Sequence, residues 1–503
     1  MRYLPNGKQM SEADAHTIHE IGIPSLVLME RAALQIVETM HKKNISTEKS
    51  LIVCGSGNKG GDGFAVARLL TEQGKHADVL FAGKEASLSE ECRCQKQIVE
   101  NMGISVFTEF PDEEYTVIID AVFGVGLCRE ITGHYKDVID WMNLQDAEKV
   151  AVDIPSGICA ATGKILGTAF RADLTVCMAC VKLGCELFPG KSYAGESIPV
   201  AIGIDPKYFS NRLDVCYTFD KNDLGKLLPS RMMNSHKGSY GKVLMITGSP
   251  GMAGAAFLSA CAAYTVGAGL VQIYTASENR LALQEPEAII SCYDSYDDSQ
   301  LSHLLDWADV VCIGCGLGTG QISEKILKNV LKNVSCPCVI DADGLNLLSR
   351  NIELLNQCCA PVILTPHMKE MSRLTGWSID TIMEDRFQAL DQIIKQSGPD
   401  TKSSIICVLK DSRTVVAQTN RQKFVNLAGN NSMAKGGSGD VLAGTIAGLL
   451  AQHMAPFEAT TVGVFLHACG GDEAKKSKGS YSVLARDLIQ GMADAMKNAK
   501  ECR

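Results

Sequence analysis

No window of this 503-residue sequence approaches the ~18 uninterrupted apolar residues of a membrane-spanning helix; the longest apolar runs are strand-length or broken by glycine and charge. The opening residues, MRYLPNGKQMSEADAH, lack a basic stretch followed by an apolar core, so no secretory signal is expected. Positive charge is not in excess. The net charge is −9, which argues against a partner bound through a phosphate backbone. Low-complexity segments and short-period repeats are also missing. A soluble cytoplasmic chain is therefore expected, with neither nucleic acid nor membrane as a partner. Cysteine is plentiful, at 20, but scattered. Neither Cys92 and Cys94 (C-R-C) nor Cys336 and Cys338 (C-P-C) has a second pair at zinc-ribbon spacing. Buried reduced thiols are the expected reading, and a metal cluster is the alternative.

The composition that is present, 46% hydrophobic and 21% charged, is that of a globular protein too long for one ordinary core. Short β-branched runs alternate with amphipathic stretches in both halves, the pattern of α/β folds with largely parallel sheets. Strands are expected at 51–57, 77–83, 116–124, 149–157, 173–179 and 197–204. Helices are expected over SEADAHTIHEIG and SLVLMERAALQIVETMHK, the second with Leu26, Met29, Ala33, Ile36, Val37 and Met40 at helical spacing. A polar, turn-rich passage near 205–222 breaks the alternation, giving domains at 1–213 and 223–503. The pattern restarts with strands at 242–249, 269–276, 309–316, 337–344, 361–366, 404–411 and 414–418.

The glycine loop VCGSGNKGGDGFAVARLL (53–70) follows a strand, yet fits neither the Rossmann spacing nor the P-loop. Gly60, Gly61 and Gly63 make a tight turn in either case; the polar Asn58, Lys59 and Asp62 point to a ligand-facing loop. Asp120 in IIDAVFGVGL and Asp153 in AVDIPSGI end two further strands, where open α/β sheets bind ligands or where an acid simply caps a helix. Asn58, Asp120 and Ser156 offer only oxygen ligands, which suits a hard cation. In the second half, AKGGSGDVLAG (434–444) is a glycine turn opening a helix, fit to hold a phosphate, with Asp440 as a candidate base for an attacking hydroxyl. Asp343 in DADG is a further candidate or a helix cap. Asp294, Asp297 and Asp298 read as a solvated loop.

Together LMERAA, GSGNKGGDGFAVARLL, DAVFGVGL, DIPSG and PGKSYAGE resemble the N-terminal domain of the NAD(P)H-hydrate epimerases, over roughly 10–205. The resemblance implies a Rossmann-like three-layer fold and K+ held by Asn58, Asp120 and Ser156. It implies substrate contacts at Asn58, Lys59, Gly60, Gly61, Asp62, Gly124, Gly126, Leu127 and Asp153, with Asp153 as the catalytic proton carrier. Lys59 stands where the family usually has a second Asn, a change expected to leave the cation site in place and to alter contacts with the nucleotide phosphates. SHKGSYGKVLMITGSPGMAGAA, GCGLG, DADGLNLL, LTPHMKEMSRLTG and NNSMAKGGSGDVLAG resemble the ADP- or ATP-dependent NAD(P)H-hydrate dehydratases of ribokinase-like fold, over about 225–500. That resemblance implies substrate contacts at Ala255, Gly316, Gly318, His367 and Asp440. It implies nucleotide contacts at Lys410, Asp411, Ser412, Arg413, Thr414, Gly436, Gly437 and Gly439, and Mg2+ carried with ADP or ATP. Asp411 stands where the family commonly has Gly. A homo-oligomer, a homotetramer or larger, is implied as well. Two alternatives remain open at this level: a ribokinase-class kinase of vitamin or alcohol substrates, and a first half that binds without catalysing.

Overall fold

The structure, a computed structural model, describes residues 1–283, 287–395 and 404–501. The chain divides into two compact units, Arg2–Cys216 and Tyr217–Arg503.

The first unit is built on a parallel sheet of seven strands in the order Val106–Phe107, His76–Phe81, Lys49–Cys54, Val117–Ala121, Glu148–Val152, Leu174–Met178 and Glu196–Val200. Alternate residues serve opposite faces, as the pleat requires. Ile52, Cys54, Val117 and Ile119 join one buried cluster, and Leu51, Val53 and Ile118 join the other. Burial on both faces explains the near-continuous apolar runs. Each expected strand is present but shorter at its carboxyl end, because the glycine- and acid-bearing residues there leave the sheet as loops. The two-residue edge strand Val106–Phe107 has no counterpart in the sequence reading.

The helix Ser25–Lys42 buries Met29, Ala33, Ile36, Val37 and Met40 as expected, together with Leu28 and Ala32. Leu26 falls beside that stripe and is 42% exposed. The opening helix starts earlier than expected, at Gly7, because Asn6 and Gln9 form a reciprocal capping box. It runs to His16 and continues as a π-helical turn, Thr17–Ile21, that ends at Gly22 with φ +87°.

The second unit has parallel strands in the order Ile289–Tyr293, Leu270–Ala276, Lys242–Ile246, Val310–Ile313, Cys338–Ile340, Val362–Leu364 and Ile405–Leu409. Val415–Gln418 and Phe424–Val425 extend it in antiparallel fashion. Ile289–Tyr293 was not anticipated. Two helices, Ala253–Val266 and Ser438–Ala451, pack closely: a Cβ on Gly444 would lie 2.1 Å from the Ser259 carbonyl oxygen. No described helix is long and apolar enough to cross a membrane. The described cysteines are all free thiols.

Candidate functional site

In the first unit the chain leaves Lys49–Cys54 toward one edge of the sheet and returns to Val117–Ala121 on its other side. The loops after these two strands therefore part, and a crevice opens at their carboxyl ends. A cavity of about 600 Å³ lies there, lined among others by Asn58, Lys59, Asp62, Gly124, Gly126, Leu127 and Asp153. Gly60 and Gly61, expected to touch a ligand, are buried in the first turn of the helix Asn58–Glu72. A Cβ on Gly60 would come within 2.0 Å of the Gly55 carbonyl oxygen, and one on Gly61 within 2.6 Å of the Met29 side chain. Their work is close packing of this helix on the loop after Lys49–Cys54 and on the helix Ser25–Lys42.

The expected cation set is rearranged. Asp120 is wholly buried; its Oδ1 accepts from Val122 N (3.1 Å) and Ser156 Oγ (2.6 Å), and its Oδ2 from Ser156 N (2.7 Å). Lys59 does not face the cavity with its charge. Its ammonium turns inward and donates to Ile154 O (2.7 Å), Phe123 O (2.9 Å) and Asp120 Oδ2 (3.1 Å), with Ser156 Oγ at 3.3 Å. Burial pulls the Lys59 ammonium below its ordinary range, and the Asp120 carboxylate opposes that shift. Asn58, the third expected ligand, is exposed at the first position of the helix.

Asp153 sits in the left-handed region, with φ +65°. Its Oδ1 accepts from Met178 N (2.8 Å) and from the fully buried Lys182 ammonium, which also donates to Met178 O (2.9 Å). Burial would lower Lys182, but the charge and hydrogen bond of Asp153 together with Cys177 and Cys180 outweigh it, and the net shift is upward. Asp62 is held well above the ordinary carboxyl range by burial and then by the charges of Asp153 and Asp14; Asp14 is raised by burial and then by the charges of Asp153 and Glu91. Three acids thus share this end of the cavity, with Lys182 buried behind Asp153. Asp14 and Lys182 escaped the sequence reading. The signal for Lys182 was a lone charge in the otherwise apolar VCMACVKLG.

In the second unit, strand-end loops again converge. Asp440 lies in the first turn of Ser438–Ala451, a helix with no side-chain cap whose N-cap, Gly437, has φ +92°. Its first-turn N–H groups are the donors an α-helix leaves unpaired. Burial, then the charge of Asp341, pushes the Asp440 carboxyl up to about 6. Ligand atoms of Cys315, Asp341 and Asp440 lie within 4.8 Å of one another. Within DADG it is thus Asp341 that joins this group. Asp343 opens the helix Asp343–Leu348 and accepts from Gly318 N (2.8 Å), fastening one loop to the next.

Lys410 donates to Asp341 Oδ1 (2.6 Å) and stands 3.9 Å from Glu370. Gly439 belongs to the same cluster, since a Cβ there would meet Lys410 Nζ at 3.3 Å and Asp341 Oδ2 at 3.4 Å. His367 caps the helix Met368–Thr375, its Nδ1 accepting from the Lys369 and Glu370 amides at 3.1 Å each. The proton of the neutral ring is therefore on Nε2, 3.3 Å from Glu370 Oε1. Burial pushes Glu370 up to about 7. Ala255 and Gly316 are brought together: a Cβ on Gly316 would lie 2.9 Å from that of Ala255.

Lys410 points into the acidic cluster, whereas Asp411 and Ser412 are exposed and Arg413 and Thr414 half-buried. The Asp411 carboxylate faces the buried Arg386 guanidinium at 3.6 Å. Gly436 is exposed, and nothing stands near its Cβ position. Asp341, Glu370 and Cys315 were missed by the sequence reading; Asp341 and Glu370 stood within the quoted motifs, two and three residues from the positions chosen.

Residues 243–493 match the family described as NAD(P)H-hydrate dehydratase, and residues 25–184 match that described as YjeF-related protein N-terminus. The bifunctional NAD(P)H-hydrate repair enzyme of Moorella thermoacetica is 34% identical over an alignment 529 positions long, spanning 99% of this chain and 97% of that protein. The chain belongs to this family. The repair enzyme of Escherichia coli is 33% identical over 93% of this chain and 89% of its own length. Among solved structures, the ADP/ATP-dependent NAD(P)H-hydrate dehydratase of Bacillus subtilis, co-crystallised with ATP and Mg2+, is 28% identical with a TM-score of 0.50. It covers 56% of this chain and 99% of its own. The fold is thus that of the repair enzymes, a Rossmann-like unit followed by a ribokinase-like one.

Proposed function

We propose that this chain repairs hydrated NADH and NADPH with one activity in each half, at 1–213 and 223–503. The first interconverts the R and S forms at C6 of the hydrated ring. The second removes water from the S form at the expense of ADP or ATP. The observation that carries the reading is the placement of Asp440. It is a half-buried carboxyl, pushed up to about 6, on the first turn of a glycine-opened helix.

A hydroxyl is a poor leaving group. Asp440 takes the proton of the C6 hydroxyl as its oxygen attacks the terminal phosphorus of the nucleotide; the new O–P bond forms as the bond to the nucleotide breaks. The unpaired N–H groups at Gly439 and Asp440 face the charge on the transferring group. The C6–O bond then breaks, with the ring nitrogen's electrons pushing out phosphate, and loss of the C5 proton restores the dihydronicotinamide. Asp341 Oδ2, an oxygen donor of the type Mg2+ takes, would hold an ion carried by the nucleotide, and that ion would offset phosphate charge. His367, Ala255, Gly316 and Gly318 line the side for the nicotinamide, while Lys410–Thr414 and Gly436–Gly439 take the nucleotide. In the first half Asp153 carries the proton, held in place by Lys182 and Met178 N.

We further read the protein as cytoplasmic, on the support of its free thiols, and as a homo-oligomer, a homotetramer or larger. The test is to incubate purified R- and S-hydrates of NADH separately, with ATP or ADP, and resolve the products by chromatography. Loss of S-hydrate with matching NADH and phosphate, plus nucleotide-independent R-to-S conversion, is expected. Nucleotide turnover with a panel of vitamin alcohols but not with the hydrates would sink this reading.

A further inference from the structure

The cage formed by Asp120, Ser156 and the carbonyls of Phe123 and Ile154 has the chemistry of a monovalent-cation site. It is made wholly of oxygen and closed off from solvent, and it contains one formal negative charge. The family pattern would place K+ on Asp120 and Ser156. These residues do not fit that ion here, because the position between them is taken: Lys59 Nζ lies 2.7–3.3 Å from all four oxygens. The Lys59 side chain is 6% exposed and Asp120 0%. An ammonium and K+ carry the same charge and take the same oxygen donors, so the two exclude each other by space and by repulsion. The Lys59 stem runs beside Gly124, whose Cβ position would lie 3.6 Å from the Lys59 Cβ. Asn58, free of the cage, remains on the cavity lining.

We propose that the Lys59 ammonium is a tethered cation that replaces K+ in the first unit, so that this unit needs no alkali ion. The proposal rests on the epimerase reading of that unit. Its structural consequence is that the loops after Val117–Ala121 and Glu148–Val152 are tied to the helix Asn58–Glu72 by a covalently attached charge, whatever the salt outside. A tethered cation also cannot dissociate when K+ is scarce.

Two measurements on the full chain test this. The rate of R-to-S conversion is compared in K+ and in tetramethylammonium buffers of equal ionic strength, the latter ion being too large for the cage. Crystals are also soaked in Rb+, a heavier congener of K+, and examined for anomalous scattering between Asp120 and Ser156. The wild type is expected to convert at rates within about twofold in the two buffers and to show no Rb+ in the cage. Lys59→Asn is expected to lose at least tenfold in tetramethylammonium, to recover in K+, and to bind Rb+ where the ammonium was. A wild-type rate that rises tenfold or more with K+, or Rb+ bound in the cage with Lys59 swung out, overturns the proposal. No conversion in either buffer refutes the epimerase reading instead, and the Rb+ map still decides what fills the cage.

Discussion

Asp440→Asn separates the catalytic from the structural consequences of a half-buried acid. With an ordinary value of 3.8 and a folded-state value of about 6, Asp440 binds its proton more tightly in the folded chain than in the unfolded one. Proton binding therefore adds stability that is fully present below pH 3.8 and is lost as pH rises through about 6. At 1.36 kcal/mol per pH unit the difference comes to about 3 kcal/mol. Above pH 7 the wild type carries an ionised carboxylate that burial and Asp341 both disfavour; the neutral amide of Asn does not. As pH rises from below 3.8 to above about 6, the variant is thus expected to gain stability relative to wild type, by up to about 3 kcal/mol, while losing roughly 10²–10⁴ of dehydratase kcat.

Urea unfolding at several pH values, without nucleotide or divalent metal, measures the first effect. Turnover of S-hydrate with ATP measures the second. Wild-type kcat/KM is expected to rise with pH through about 6 as Asp440 becomes ionised, and the variant's residual rate to lack that limb. An Asn variant that keeps more than a tenth of wild-type kcat, or that shows no pH-dependent gain in stability, would refute the assignment of Asp440 as a buried base.

Lys410→Met leaves the Asp341 carboxylate, 2% exposed, without its cation and should cost about 3–5 kcal/mol in denaturant unfolding unless Asp341→Asn is added, which should restore most of it. Gly60→Ala places a Cβ 2.0 Å from the Gly55 carbonyl oxygen, so it is expected to lower soluble yield and thermal midpoint far more than Gly57→Ala, where the space is open. Asp153→Asn should abolish R-to-S conversion while leaving S-hydrate dehydration within about twofold. Unchanged epimerisation would remove Asp153 from the mechanism.

Much of this was legible in the sequence because parallel strands announce themselves. They are apolar on both faces, and the acid or glycine that ends each one marks the binding end of the sheet. Asp120 and Asp153 could be picked out for that reason, and Asp440 by the glycine turn that opens its helix. What the sequence concealed was which side chains fill the spaces between loops. The resemblance implied ligand contacts at Gly60 and Gly61, and only coordinates show the Gly55 backbone and the Met29 side chain that press on them. The edge strands Val106–Phe107 and Ile289–Tyr293 lack the two-sided burial that makes the central strands stand out.

The lysines were the hardest to place, for one physical reason. An acid buried at a strand end needs a counter-charge, and a lysine stem is long enough to bring one from a distant part of the chain. Asp120 takes Lys59 from 61 positions away, Asp153 takes Lys182 from 29, and Asp341 takes Lys410 from 69. No spacing rule links such partners. Lys59 was expected to alter contacts with the nucleotide phosphates and Lys410 to contact the nucleotide; in the structure each ammonium group meets a carboxylate inside the protein. A lysine next to a buried acid is therefore better assigned by asking which carboxylate would otherwise stand unpaired. By that rule Lys59 belongs to Asp120 before it belongs to any nucleotide, and a variant that frees it should change the cation demand of the site before it changes affinity for phosphate.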